Sequence, residues 1–313
     1  MTLRTVSIVT PSFNQASFLE ETICSVLEQD YPHIEYIVID DGSTDGSVEV
    51  IRRHEDRLAA WVGQANAGQA AVLNRGFASS SGDFLGYLNS DDTLLPGAIS
   101  AMVAEIESDP DLLLVYGDAL YTDARSRRTG YLAARDFDVV AMVRDCDNHV
   151  VQPSTLWRRE AWERFGPFDE QAWYFFDFEF FLKFPPERVR RIAGPLSTYR
   201  VHPAAKSTGS AGTRLARDHA RVAETFFRSD SLPAAARTVV RPGRGSAYLL
   251  GSEFAYEALD LALARRYVLK GLRLRPASLT SPRWLSLAAK TFLPRGLVSR
   301  LRGRRRAPLA ARA

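Results

Sequence analysis

Adjacent carboxylates at the end of an apolar run are the feature of this sequence that most needs a chemical reason. Residues 83–88 read DFLGYL, a short buried strand bounded by Gly82 and by Asn89-Ser90, and the chain then sets Asp91 and Asp92 side by side. Two neighbouring carboxylates repel each other and resist burial, so their presence at a strand end demands compensation. Three more polar clusters follow apolar runs in the same way: PSFN at 11–14, DDGSTD at 40–45 and QANAG at 64–68. Such groups suit phosphate handling, and three schemes can be tested on the residues. A dinucleotide turn needs Gly-x-Gly-x-x-Gly, where this chain has Pro11-Ser12-Phe13-Asn14. A P-loop needs Gly-Lys-Ser/Thr after the Gly63–Gly68 spacing, where Gln69-Ala70 follow. An aspartyl-phosphate phosphatase wants a nucleophilic Asp two residues before a second, whereas Asp40 and Asp41 are adjacent. None of the three fits well.

The elements that must position these clusters alternate through the first 110 residues. Strands are expected at 5–13, 34–45, 58–64 and 83–88. Helices are expected at 18–29, from Gly46, from Gly68, and behind Asp91-Asp92 with Pro96 at its start. Near-continuous apolar strands separated by amphipathic helices predict an α/β fold with a doubly wound, mostly parallel sheet. Ligands bind such sheets at the carboxyl ends of the strands, which is where all four clusters fall.

In order and spacing, VSIVTPSFN, YIVIDDGSTDGS, NAGQAAVLNRGF and GDFLGYLNSDD resemble family 2 nucleotide-sugar glycosyltransferases with a GT-A fold. Downstream, QPSTLWRREAWERFGPFDE (152–170), DFEFFLKF (177–184) and YRVHPAAKS (199–207) continue the resemblance, which spans roughly residues 5–207. It implies inverting transfer of a sugar from a nucleoside diphosphate to an acceptor hydroxyl, with Mn2+ or Mg2+ neutralising the diphosphate. By the same resemblance Asp92 is the metal ligand, and Asp91 faces the sugar or ribose. Asp41 accepts a hydrogen bond from the base, with Asp40 before it. Pro11 and Phe13 flank the nucleoside, and Asn66, Gly68 and Asn74 line the nucleotide pocket. Asp177 is the general base, and His202 lies near the diphosphate or metal.

Each position has a plainer alternative. Asp91 and Asp92 could cap the helix after Pro96, and Asp40-Asp41-Gly42-Ser43 could be a turn and helix cap. Phe13 could be core, Gly68 a helix entry and Asn74 solvated; Glu179, second to Asp177 as a candidate base because it points to another face of the helix, could be solvated too. Gln152, Pro153, Ser154 and Trp157 could form an acceptor floor or belong to the core.

The charge is uneven. From Arg265 to Ala313 there are 14 Lys and Arg and no acidic residue, against 26 basic and 37 acidic residues before it. The expected organisation is a GT-A domain over 1–207 (nucleotide-sugar half about 1–110, acceptor half about 111–207), then a helical region over 208–313. Its tail, SPRWLSLAAKTFLPRGLVSRLRGRRR, mixes apolar residues with spaced Arg, a pattern that suits an anionic membrane surface. A disordered basic tail or a solvated cover are the alternatives, and no nucleic-acid motif accompanies the charge. Two cysteines, no leader-like segment and no long apolar run suit a cytoplasmic protein, peripheral at most on the membrane's inner face. The acceptor would be a glycan or lipid-linked molecule in bacterial surface-polysaccharide synthesis. The competing functions are a nucleotide-sugar-binding protein without catalysis, and a phosphatase or nucleotidyltransferase on a similar sheet.

Overall fold

The computed structural model describes residues 4–206 and 212–303. In chain order these form β1 (Val6–Ser12), α1 (Ala16–Leu27), β2 (Ile34–Asp40), α2 (Ser47–Arg52), β3 (Ala60–Gly63), α3 (Gln69–Ser79) and β4 (Phe84–Tyr87). There follow β5 (Thr93–Leu94), α4 (Ala98–Glu107), β6 (Leu114–Thr122), β7 (Arg128–Leu132), α5 (Val139–Asp145), β8 (Thr155–Arg158), α6 (Arg159–Phe165), α7 (Phe176–Phe181) and β9 (Val189–Arg200). The remainder is helical: α8 (Gly212–Glu224), α9 (Val240–Glu257), α10 (Leu261–Leu274), α11 (Pro282–Lys290) and α12 (Arg295–Gly303). Two compact units result. The first comprises residues 1–137 and 149–200; the second comprises 138–148 and the chain from Val201 onward.

One sheet organises the first unit, in the order β3-β2-β1-β4-β8-β6-β9-β5, with β7 paired to β6. The β3-β2-β1-β4 half is parallel throughout, as continuous apolar runs with helical crossovers dictate. Beyond β4 the pairing is mixed: β8 is antiparallel to both β4 and β6, whereas β6 and β9 are parallel. Alternation along the strands supplies both faces. Val6, Ile8, Tyr36, Val38 and Phe84 join one buried cluster with residues of α1, α2 and α4. Val9, Ile37, Ile39, Leu85 and Tyr87 join another with residues of α3 and α7.

The helix behind Asp91-Asp92 begins later than Pro96 suggests. Gly97 sits in the left-handed region at φ 77°, where glycine carries no Cβ penalty, and α4 starts at Ala98. The two residues of β5 intervene and pair with β9, so the carboxylate turn is tied to a strand more than 100 residues further on.

In the second unit α9 contacts α8, α10 and α5. Ser246 Oγ donates to the carbonyl of Arg144, and Arg275 pairs with Asp145 at 3.0 Å. Glu224 holds three helices together: Arg244 at 2.6 Å, Lys270 at 2.9 Å and the Tyr248 hydroxyl at 2.8 Å all meet its carboxylate. Leu249, Val268 and Leu272 form a buried cluster against which Trp284 and Ala288 of α11 pack. Leu287 and Val298 are also buried, so of the tail's apolar residues Leu285, Phe292 and Leu297 remain exposed. The arginines at 304–306, part of the expected basic surface, lie outside the described residues. Among the described residues no helix is long and apolar enough to cross a membrane.

Candidate functional site

Strand register brings the polar clusters together. Ser12 stands opposite Asp40, and Asp40 opposite Gly63, so β1, β2 and β3 end on one line; Val9 of β1 is level with Tyr87 at the end of β4. The loops leaving these ends are sewn to one another. Asn14 donates its N–H to Ser43 Oγ (2.9 Å) and accepts from Thr44 N (2.8 Å). Asp45 accepts from Ala16 N (2.9 Å) at the start of α1 and from Ser47 N (3.1 Å) at the start of α2. Pro11 is buried beneath this loop, while Phe13 beyond it is 47% exposed, so the aromatic at this strand end is surface and not core.

Asp40 and Asp41 point to different tasks. Asp40 Oδ2 accepts from Gly42 N (3.2 Å) and Ser43 N (2.9 Å), closing the turn. Its Oδ1 is buried and, among the described residues, has no hydrogen-bond partner; the same holds for Ser12 Oγ on the neighbouring strand. Asp40 Oδ1 and Ser12 Oγ, on paired strand ends, thus keep hydrogen-bonding capacity that other described residues do not use. Asp41 instead braces the 64–68 loop. It accepts from Ala67 N (2.8 Å), Gly68 N (2.9 Å) and Gln64 Nε2 (3.0 Å), and its carbonyl accepts from Asn66 Nδ2 (3.2 Å). Gly42, at φ 83°, lies so close to this loop that a Cβ there would meet Asn66 N and Gln64 O at 3.2 Å. Three donors occupy a group that accepts about four, which leaves room for one more.

Asp92 is 3% exposed. Its Oδ1 accepts from the main-chain N–H of Arg200 (2.8 Å), and its own carbonyl accepts from Thr22 Oγ1 (2.7 Å). Burial, and next the charge of Asp91, push its carboxyl well above the ordinary range. The Arg200 N–H, a hydrogen bond from Asn89 and the Arg200 charge act the other way. At the start of α4 the Ile99 N–H is taken by Gln29 Oε1 (3.1 Å), a cap supplied from α1's C-terminal side and not from Asp92. A half-buried and a buried carboxylate side by side, both hard oxygen donors, fit a divalent cation. Among the described residues no three of His, Cys, Asp and Glu are grouped to hold a metal by themselves.

Asp177 lies in the first turn of α7, half-buried, with Oδ1 accepting from Phe178 N (2.8 Å). Its helix packs on the end of β4, where the Phe176 ring lies 6.2 Å from that of Tyr87. Burial raises the Tyr87 hydroxyl well above its ordinary value, and the charges of Asp177 and then Asp92 add to that. Tyr174 is likewise raised by burial and then by Asp177. Gln152 links the same region, donating to the Tyr87 carbonyl (2.8 Å) and accepting from Asn89 (3.1 Å).

Asn74, expected at the nucleotide pocket, is engaged with a later segment: its amide donates to the Phe168 carbonyl (3.0 Å) and Glu170 (3.0 Å) and accepts from Phe168 N (2.9 Å). Glu179 is buried instead of solvated, one helical turn before Lys183, whose amine donates to the Phe165 carbonyl (2.6 Å). Trp157 is core, wrapped by Phe77, Tyr87, Phe180 and Phe181. His202 lies two residues beyond β9, buried, in the second unit. Arg200, within YRVHPAAKS, carries no local signal that sets it apart, since β9 (VRRIAGPLSTYR) already contains Arg190 and Arg191.

A mixed sheet with a parallel nucleotide-type half, its polar clusters at the strand ends and a helical region after it, is the architecture of GT-A glycosyltransferases. S. aureus TarS (residues 1–349), crystallised with UDP-GlcNAc, superposes with a TM-score of 0.61 at 14% identity, over 96% of this chain and 92% of that one. A mannosyltransferase from Pyrobaculum calidifontis, in complex with GDP-Man and Mn2+, gives a TM-score of 0.57 at 20% identity, over 93% and 85%. The chain belongs to glycosyl transferase family 2, whose model matches residues 7–178, more than half of its length. A Nostoc sp. protein named as a glycosyltransferase is 29% identical over 54% of this chain and 55% of its own length. The Bacillus subtilis protein TuaG, named as a teichuronic acid biosynthesis glycosyltransferase, is 37% identical over 28% and 36% respectively. The chain thus spans about half, or less, of these two relatives.

Proposed function

We propose that the protein is an inverting, metal-dependent glycosyltransferase that moves a sugar from a nucleoside diphosphate to a hydroxyl of a glycan or lipid-linked acceptor in polysaccharide synthesis. The observation that carries this reading is that α7, which bears half-buried Asp177, packs on the end of β4, with the Phe176 ring 6.2 Å from that of Tyr87, and that the same strand end leads into buried Asp92.

Asp92, with Asp91 beside it, would hold Mn2+ or Mg2+, whose charge offsets the negative charge that develops on the leaving diphosphate. The chain's own groups do the rest. Asp40 Oδ1 and Ser12 Oγ accept or exchange hydrogen bonds with the nucleoside, Asp41 supports the 64–68 loop and has one acceptor position left for the base, and Pro11 and Phe13 border it. Asn66 and Gly68 form the loop that Asp41 holds against the nucleotide. Asp177 takes the proton from the acceptor hydroxyl as that oxygen attacks the anomeric carbon from the face opposite the diphosphate. His202 is assigned to the diphosphate on its resemblance alone. The exposed Leu285, Phe292 and Leu297 among basic residues suit contact with an anionic membrane surface carrying the acceptor.

A thermal-shift panel of nucleoside diphosphates and nucleotide sugars, with and without Mn2+, tests the reading. A true donor stabilises the fold by about 2.7 kcal/mol at a hundredfold excess over its Kd. Release of free nucleoside diphosphate then separates a transferase from a binding protein and from a phosphatase or nucleotidyltransferase. Absence of any Mn2+-dependent shift across UDP, GDP and dTDP compounds would overturn the reading.

A further inference from the structure

Arg200 has no part in the chemistry proposed above, yet its side chain is only 1% exposed and carries a full charge. Burying a guanidinium is costly, and an apolar side chain would fill the same space at less cost. The contacts show what the charge is engaged in. Nε donates to the Asp91 carbonyl (2.6 Å), one terminal nitrogen to Ser126 Oγ (2.8 Å) and the Asp123 carbonyl (3.4 Å), and the other to Glu21 Oε2 (2.7 Å). The guanidinium carbon lies 4.9 Å from the centre of the Phe18 ring. Ser126 Oγ donates in turn to Glu21 Oε2 (2.7 Å). Through its main chain the same residue donates to Asp92 Oδ1 at 2.8 Å.

Arg200 therefore grips both members of the carboxylate pair, one at its carbonyl and one at its carboxylate. It is itself fixed from outside by α1, through Phe18 and Glu21, and by the turn between β6 and β7. Five guanidinium N–H groups face four acceptors in a planar fork that a lysine ammonium cannot reproduce.

We propose that Arg200 is a positioning residue: its fork locks the Asp91–Asp92 turn in one conformation, which sets the affinity of the site for a cation-bound nucleoside diphosphate. This rests on the reading of Asp92 as the cation-binding carboxylate. The lock acts on the cation-dependent part of binding and leaves the nucleoside contacts of the β1 and β2 ends alone.

Titration calorimetry on the full chain tests it, using whichever of UDP, GDP and dTDP binds the wild type most tightly, in Mn2+ and in EDTA. The variants are Arg200→Lys, which keeps the charge and loses the fork, and Glu21→Gln, a half-exposed position that weakens the fork's outer anchor and is the safer fold. Supporting partners of metal ligands typically carry 10–100-fold in metal affinity, so the gain in affinity conferred by Mn2+ should fall about tenfold or more in Arg200→Lys and about threefold in Glu21→Gln. Affinity in EDTA should stay within about twofold in both. An unchanged Mn2+ gain in folded Arg200→Lys overturns the proposal, as does equal loss with and without Mn2+, the mark of a merely structural role. If Arg200→Lys does not fold, Glu21→Gln decides alone by the same criteria. No Mn2+ gain in the wild type overturns the donor-site reading and this inference with it, whereas a wild-type gain that the variants keep overturns this inference only.

Discussion

Replacing Asp41 with Asn separates two tasks that this residue could have. Its carboxylate takes three donors from the 64–68 loop: Gln64 Nε2 and Ala67 N on Oδ1, and Gly68 N on Oδ2. Asn keeps one oxygen, so whichever way the amide turns, at least the Gly68 N–H meets an NH2 donor or the other two donors do. Hydrogen bonds to charged groups contribute about 1.5–3 kcal/mol each and neutral ones about 0.5–1.5, so one lost and two weakened bonds sum to roughly 3–5 kcal/mol. At about 2–4 °C per kcal/mol for a unit of this size, the melting temperature of Asp41→Asn should fall by roughly 6–20 °C. The assay is a thermal melt beside nucleoside-diphosphate calorimetry on the same sample. A variant that melts normally but binds the nucleotide more weakly would refute the bracing role and leave Asp41 as a base contact alone. A melt lowered as stated, with affinity intact, would remove the 64–68 loop from the donor site.

Three further outcomes follow from named contacts. Asp177→Asn keeps size and loses basicity, so sugar transfer should fall about 10²- to 10⁴-fold while donor affinity and melting temperature hold; near-normal turnover would remove Asp177 as the base. Burial pushes Glu224 up, but hydrogen bonds from Arg244, Lys270 and Tyr248 outweigh it and pull the carboxyl down to about 2. A folded value below the unfolded 4.5 means that this stability is present above pH 4.5 and lost as pH falls towards 2. With the side chain 31% exposed the loss is roughly 1–3 kcal/mol, so acid denaturation of Glu224→Gln should show a flatter slope in that window, and an unchanged slope would contradict it. Deleting residues 281–313 should leave donor hydrolysis intact and weaken sedimentation with anionic liposomes in a salt-sensitive way, at about 1 kcal/mol per basic residue near the surface; equal sedimentation at low salt would remove the membrane contact.

What could be read from the sequence was whatever local pattern controls. β1, β2 and β4 are buried on both faces, so their apolar runs announce parallel strands, and the clusters after them mark the site because parallel strands end together. What could not be read depends on residues far apart in the chain. Asn74 is spent on Phe168, 94 residues away, and the Asp92 carboxylate is held by Arg200, 108 residues away; no spacing rule connects either pair. α7 is six residues long, too short for helical periodicity to say that Glu179 would be buried. The tail's apolar residues divide between a buried set (Leu287, Val298) and an exposed set (Leu285, Phe292, Leu297), with Trp284 and Ala288 packed on α9 and α10, a split set by tertiary packing and not by local pattern.

The central claim is that the Asp91–Asp92 pair at the β4 end, with Asp92 buried, recruits a cation to bind a nucleoside diphosphate. It is tested most directly by titrating the wild type and Asp92→Asn with the tightest-binding nucleoside diphosphate, in Mn2+ and in EDTA. Asn retains the oxygen that accepts from Arg200 N and relieves the repulsion from Asp91, so the empty variant should melt at or above the wild-type temperature. The wild type should bind substantially more tightly in Mn2+ than in EDTA, and Asp92→Asn should bind equally in both. A folded Asp92→Asn that keeps the full Mn2+ gain would contradict the claim.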